Sequence, residues 1–175
     1  MRRTLAEKDF ELMPHFESLN TLAATCAQCQ KCELHTQRTH SVFSDGVPTA
    51  RIMIVGEGPG YYEDQQGKPF VGKSGQLLDQ MFAAIGLDRQ RDLYIANVVK
   101  CRPPENRKPH RHEMEACFDY LKQQIEIVRP WILVLTGATA LEGITGEKRA
   151  ITRCRGEWFV WGDLGFDIDC VPIFH

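Results

Sequence analysis

Arg51-Ile52-Met53-Ile54-Val55-Gly56-Glu57-Gly58-Pro59-Gly60 sets the fold class. Four apolar residues, mostly β-branched and stopped by glycine, read as a buried strand over 51–55. Working outward, Leu93-Tyr94-Ile95-Ala96 and Trp131-Ile132-Leu133-Val134-Leu135 repeat the pattern, and 158–161 and 170–174 read as two last strands. Between them, 75–85 carries Leu77, Leu78, Met81, Phe82 and Ile85 at helical spacing and stops at Gly86. The same periodicity runs through 110–128, a short helix is expected over 137–143, and a weaker helical pattern covers 11–28. The residues between Gly56 and Gly75 read as a long glycine-rich loop. Strands alternating with helices predict an α/β fold, with helices covering both faces of a mostly parallel sheet. In such sheets ligands bind beyond the carboxyl ends of the strands. Glu57, Asn97 and His175 each end or follow a strand, so parallel strands would bring the three to one site.

The chain has 175 residues, with 21 Lys plus Arg against 23 Asp plus Glu, a formal net charge of −2. That length suits a single domain over 1–175, and the near balance of charge means an anionic partner must be met by a local basic patch. Hydrophobic residues make up 43 % and charged ones 25 %, a folded rather than disordered composition. No apolar run reaches the ~20 residues of a membrane helix, and no signal-peptide core follows Met1. A cytoplasmic, monomeric protein without a membrane partner is the expectation.

Seven cysteines, an odd number in a reducing compartment, favour metal or cluster ligation over disulfides. Cys29 and Cys32 form one knuckle and Cys101 and Cys117 a second pair. By spacing alone these four could enclose a tetrahedral zinc or an iron–sulfur cube. Cys154 and Cys170, in or near strands, read as buried thiols, and Cys26 stays open. Gly67-Lys68-Pro69-Phe70-Val71-Gly72-Lys73-Ser74 matches the phosphate-binding P-loop pattern literally. It begins eleven residues past the end of the strand, and Pro69 lacks the N–H a phosphate cradle needs, so no nucleotide cofactor is expected. Two basic stretches remain: Lys100, Arg102, Arg107, Lys108 and Arg111, then Lys148, Arg149, Arg153 and Arg155. Either a nucleic-acid surface or solvated loops would account for them.

Gly56-Glu57-Gly58-Pro59-Gly60, Glu63-Asp64, Gly67 to Gly72, Leu77-Leu78 and Asn97-Val98-Val99-Lys100-Cys101-Arg102-Pro103-Pro104 together resemble the iron–sulfur, family-four uracil-DNA glycosylases in order and spacing. The resemblance runs from about Cys29 to His175. It implies a three-layer α/β/α domain and a DNA repair hydrolase that removes uracil from DNA without strand cleavage. It also implies a 4Fe–4S cluster on Cys29, Cys32, Cys101 and Cys117, spaced C-x2-C-x68-C-x15-C. Phe70 would stack on the flipped base, and the Asn97 carboxamide would pair with uracil O4 and N3–H. Glu63 would exclude the thymine methyl, with Tyr61 and Tyr62 nearby, and the loop of Glu57, Gly58 and Pro59 would serve the uracil carbonyls. His175 would donate to O2 as charge develops there.

Glu57 is the candidate for orienting water, since other branches of the superfamily carry an aspartate where this sequence has Gly58. Arg102, Arg107 and Lys108 are the expected phosphate contacts. A lysine nucleophile, Lys73 or Lys100, has no support, because nothing in the sequence marks a desolvated lysine. In the family, a leucine-bearing wedge loop and a last helix follow the final histidine, and these lie outside the 175 residues. Two other readings stay open: a non-enzymatic iron–sulfur DNA-binding module, and a zinc-bearing interaction domain.

Overall fold

The computed structural model describes residues 17–175. The expected helix over 11–28 is thus visible as α1 over 17–27, and 11–16 lie outside the described residues. Among the described residues six strands form one sheet: β1 (Asp45–Gly46), β2 (Ile52–Gly56), β3 (Leu93–Asn97), β4 (Ile132–Thr136), β5 (Phe159–Trp161) and β6 (Ile168–Ile173). Their order is β1-β3-β2-β4-β6-β5. The inner four are parallel, whereas β1 and β5 pair antiparallel at the edges.

Side chains alternate across this sheet with the period of two that strands impose. Met53, Val55, Tyr94, Ala96, Leu133 and Leu135 enter one apolar cluster. Ile54, Leu93 and Ile95 enter the other, with Val134 packed against it. The first cluster is closed by α5 (Arg111–Val128) through Cys117, Leu121, Ile125 and Val128, and by α6 (Ala138–Thr145) through Leu141 and Ile144. The second lies under α3 (Lys73–Ala83), which contributes Leu78. Both faces are covered, giving the expected three-layer α/β/α arrangement.

Several elements depart from the sequence reading. The loop after β2 contains α2 (Tyr61–Gln66), whose N-terminus is capped by the carboxylate of Glu63. Two short helices, α4 (Arg89–Asp92) and α7 (Ile151–Cys154), had no apolar periodicity to mark them. Cys154 ends α7 and Cys170 lies in β6, and both are buried as expected. No helix among the described residues is long and apolar enough to cross a membrane.

From β2 the chain goes first to β3 on one side and later to β4 on the other. This reversal opens a crevice at the carboxyl ends of the central strands. Gly56 and Asn97 are register partners there, and Thr136 pairs with Ile173, two residues before His175.

Candidate active site and cysteine centre

A cavity of roughly 180 Å³ occupies that crevice. Glu57, Gly58, Pro59, Glu63, Phe70, Asn97 and His175 all line it, so the seven residues expected to contact a base meet in one place. Gly60, Ser74, Gly75, Pro103, Asn106 and Arg107 complete the wall. Tyr61 and Tyr62 are not part of it. They stand exposed at 51 % and 60 %, ring edge against ring face, with the Arg102 guanidinium 5.2 Å from the Tyr61 ring.

Each wall residue is held by something identifiable. Asn97 is 2 % exposed at the end of β3, yet its carboxamide has no hydrogen-bond partner among the described residues. Phe70 sits at φ +53, a strained value for a residue with a side chain. Arg89 fixes it by donating to the main-chain oxygens of Phe70 at 2.7 Å and Pro69 at 2.9 Å, while also pairing with Asp45 and Asp79. Glycine is required at position 56, because a Cβ there would meet the Asn97 side chain and lie 2.6 Å from the Phe70 ring. At Gly75 a Cβ would collide with the Phe70 main chain.

Glu63 spends its carboxylate on backbone. Oε1 accepts from Val71 and Gly72 N–H at 2.9 and 2.8 Å, and Oε2 from Gly60 N–H at 3.2 Å. It is a fixed wall between α2 and the 71–72 turn, with little freedom left to follow a ligand. Glu57 accepts the Thr139 hydroxyl at Oε2, 2.5 Å away, a short charge-assisted bond. The His175 side chain packs against Gly137, where a Cβ would come within 2.9 Å of the His175 Cβ. Gly137 has φ +94 and its N–H donates to Ile173 O, so the loop after β4 seats the histidine. Thr139 and Arg89 were missed in the sequence. Thr139 could have been found by extending the strand-end rule to β4, whereas Arg89 carried no local signal.

The second constellation lies beyond β3, on the α5 side. Cys26, Cys29, Cys32, Cys101 and Cys117 line one small enclosed space together with Arg38 and Lys100. Arg38 donates to Cys101 Sγ at 3.1 Å and to Cys29 O at 3.0 Å, and the Lys100 N–H lies 3.3 Å from Cys117 Sγ. Burial pushes the Cys117 thiol up to about 12, so a thiolate there needs a cationic partner. Among the described residues no three cysteine sulfurs lie within 4.8 Å of one another. A single tetrahedral zinc with Zn–S near 2.3 Å would hold its sulfurs about 3.8 Å apart. Cys29, Cys32, Cys101 and Cys117, the four expected ligands, are brought to one place without forming a closed four-sulfur set at that distance. Glu33, His112 and Glu113 also approach one another, but Glu113 is taken by Arg107 and His112 by Glu33.

The first basic stretch is far more self-neutralised than its composition suggests. Arg107 makes two bonds to Glu113, at 2.9 and 2.6 Å, and Lys108 pairs with Glu142 at 3.0 Å. Arg111 pairs with Glu115. Arg102 has no carboxylate partner among the described residues and donates only to Asn106, at 2.7 Å. Lys100, read as part of a basic stretch that is either a nucleic-acid surface or a solvated loop, is 0 % exposed. A desolvated lysine that nothing in the sequence marked is thus present, although Lys100 does not line the cavity of Asn97 and Glu57.

The profile of the uracil DNA glycosylase superfamily matches residues 43–175. The chain is 44 % identical to the Type-4 uracil-DNA glycosylase of Thermotoga maritima, over 91 % of this chain and 81 % of that one. It is 42 % identical to the Type-4 enzyme of Archaeoglobus fulgidus, with the same two coverages. With the Type-4 enzyme of Pyrobaculum aerophilum the identity is 45 %, over 90 % of this chain and 82 % of the relative.

Proposed function

The chain belongs to the uracil DNA glycosylase superfamily, and from that premise we propose that it hydrolyses the N-glycosidic bond of uracil in DNA, leaving free uracil and an abasic site. The observation that carries the reading is the unpartnered carboxamide of Asn97, nearly buried and facing a cavity walled by Phe70, Glu63 and Glu57. Among the described residues no fully buried side-chain N or O lacks a partner, so the unpaired Asn97 amide opens onto the cavity, where a ligand can pair with it. Uracil does, accepting at O4 and donating from N3–H, whereas cytosine reverses both groups.

In this reading the base leaves the helix and enters the cavity, with Phe70 against its face. Water attacks C1′ as the C1′–N1 bond breaks, N1 departs with the electron pair, and the proton the water loses ends on the released uracil, leaving a hydroxyl on C1′. Charge then builds on O2, where the His175 imidazole donates a hydrogen bond; one such preorganised donor is worth roughly 10²–10³ in rate. Glu57, held by Thr139, orients the water. Glu63 stands as a rigid wall against a C5 methyl. Arg102 is the cation best placed for phosphate, since Arg107 and Lys108 are held by carboxylates. Those pairs support a second role for Arg107 and Lys108, fixing the loop between Cys101 and α5.

Cys29, Cys32, Cys101 and Cys117 would hold a 4Fe–4S cluster, with Cys26 as a buried neighbour. When bound it would act as a covalent cross-link between the 29–32 knuckle, the loop after β3 and α5. The shared lining of the four cysteines and the Arg38 guanidinium on Cys101 Sγ support a thiolate-bound centre there, and the likeness to the Type-4 enzymes favours the cluster. Thiols in such a site persist in a reducing compartment, consistent with a cytoplasmic monomer acting on uracil-containing DNA. The test is incubation of purified protein with a labelled oligonucleotide containing one uracil, followed by alkali. Cleavage confined to the uracil position is expected, and an intact strand would overturn the reading.

A further inference from the structure

Lys100 is among the largest wholly buried side chains of the described structure, and the chemistry above does not use it. Its ammonium donates to the main-chain oxygen of Asn97 at 2.7 Å and to Oε1 of Gln124 at 2.6 Å, and lies 5.9 Å from the Phe43 ring. Gln124 is itself fixed, donating to Phe43 O at 3.0 Å and to the Tyr94 hydroxyl at 3.1 Å. Among the described residues no carboxylate pairs with Lys100. A buried ammonium with neutral acceptors alone is strongly disfavoured, by several kcal/mol on the general scale for desolvated ions. Negative charge on a close neighbour would offset that penalty.

The cysteine centre is that neighbour. Lys100 lines the same small space as Cys26, Cys29, Cys101 and Cys117, and its main-chain N–H, not its ammonium, donates to Cys117 Sγ at 3.3 Å. Arg38 approaches Cys101 with a second cation. Neutral thiols would leave both cations without a counter-charge. Four thiolates around an iron–sulfur core carry net negative charge, and two flanking cations then balance it.

We propose that Lys100 is a positioning residue for base recognition: its ammonium, held by the charge of the assembled cysteine centre, anchors the main-chain oxygen of Asn97 and so sets the direction of the Asn97 carboxamide. This rests on the assignment of Asn97 and the cluster made above. The chain supplies a direct route for it. Asn97 ends β3, Val98 and Val99 donate to Gly56 and Glu57 main-chain oxygens at 2.9 and 3.2 Å, and Lys100 folds back under the turn. Base recognition and centre integrity then depend on one side chain, three residues from Asn97 and next to Cys101.

Lys100→Met keeps similar length and removes the charge. Gln124→Leu removes the ammonium's other anchor and keeps the charge. Both are compared with wild type for iron content, visible absorbance, cluster reduction potential and steady-state excision of uracil. For Lys100→Met the expected result is a kcat about tenfold lower with KM changed less than about twofold, as for a lost alignment of the reacting complex. Its cluster potential should also fall, since a positive charge beside the thiolates is gone. Gln124→Leu should lower kcat by a smaller factor, about threefold, and leave the potential in place. If Lys100→Met does not fold, Gln124→Leu carries the test, and an unchanged kcat overturns the proposal. Iron-loaded Lys100→Met with wild-type kcat, KM and potential overturns it alone. A wild type that holds no iron or releases no uracil overturns both this proposal and the reading beneath it.

Discussion

The Thr139 hydroxyl lies 2.5 Å from Oε2 of Glu57 and joins the first turn of α6 to the loop after β2. A carboxylate so held has one oxygen committed, and Oε1 has no hydrogen-bond partner among the described residues. Thr139→Val removes the donor at nearly constant volume. It should lower kcat by about tenfold with little change in KM, while Thr139→Ser stays near wild type. Equal rates for the Val and Ser variants would separate Thr139 from the chemistry.

Gly56 and Asn97 face each other across β2 and β3, and the missing Cβ of Gly56 is what admits both the Asn97 amide and the Phe70 ring. Gly56→Ala should displace them by a substantial part of an ångström. A misplacement on that scale lowers rate by about 10²-fold. Single-turnover excision with a matched thermal melt checks this; activity within threefold of wild type would show that the wall can move freely.

Glu63 carries three backbone bonds, so its removal affects shape as well as selectivity. Glu63→Ala should lower thermal stability by about 1–3 kcal/mol, the ordinary effect of orphaning hydrogen bonds to a charged group. It should also raise the ratio of thymine to uracil excision. Glu63→Gln, which keeps the volume, should preserve exclusion of thymine. Unchanged base selectivity in the alanine variant would mean that the methyl is excluded elsewhere.

Acid should loosen the loop between Cys101 and α5 through one pair. The Arg107 guanidinium bonded to Glu113 holds that carboxyl below its ordinary value, which is about 4.3 for glutamate. A lowered folded-state value contributes stability above the unfolded one and loses it as pH falls through the folded one. Denaturant midpoints should therefore drop below about pH 4 in wild type, with a smaller drop in Glu113→Gln, whose starting stability is lower. Parallel pH curves for the two proteins would remove this pair from the acid response.

The sequence made the strands legible because runs such as 52–55, 93–96 and 132–135 are apolar on every position, as strands buried on both faces must be. The strand-end rule then located Glu57, Asn97 and His175 without any contact information. The helix α2 stayed hidden because Tyr61, Tyr62, Glu63, Asp64, Gln65 and Gln66 show no apolar period, and its cap is a carboxylate three residues inside. Lys100 read as part of a basic loop because local composition cannot reveal that Gln124, from a helix 24 positions on, receives its ammonium. Arg107 and Lys108 read as free cations for the same reason. Glu113 meets Arg107 only once the first turn of α5 forms, and Glu142 meets Lys108 only once α6 packs beside α5.

Release of free uracil in single-turnover reactions, by wild type and by Asn97→Ala, is the most direct test that the carboxamide reads the base. Oligonucleotides identical except for uracil, cytosine or thymine at one position supply the comparison. Wild type should release uracil alone, and Asn97→Ala should do so at least about 10²-fold more slowly, because a site built to hydrogen-bond its substrate loses that discrimination when the partner is removed. Release of uracil by Asn97→Ala at the wild-type rate, or of cytosine by wild type at the uracil rate, would contradict recognition through Asn97.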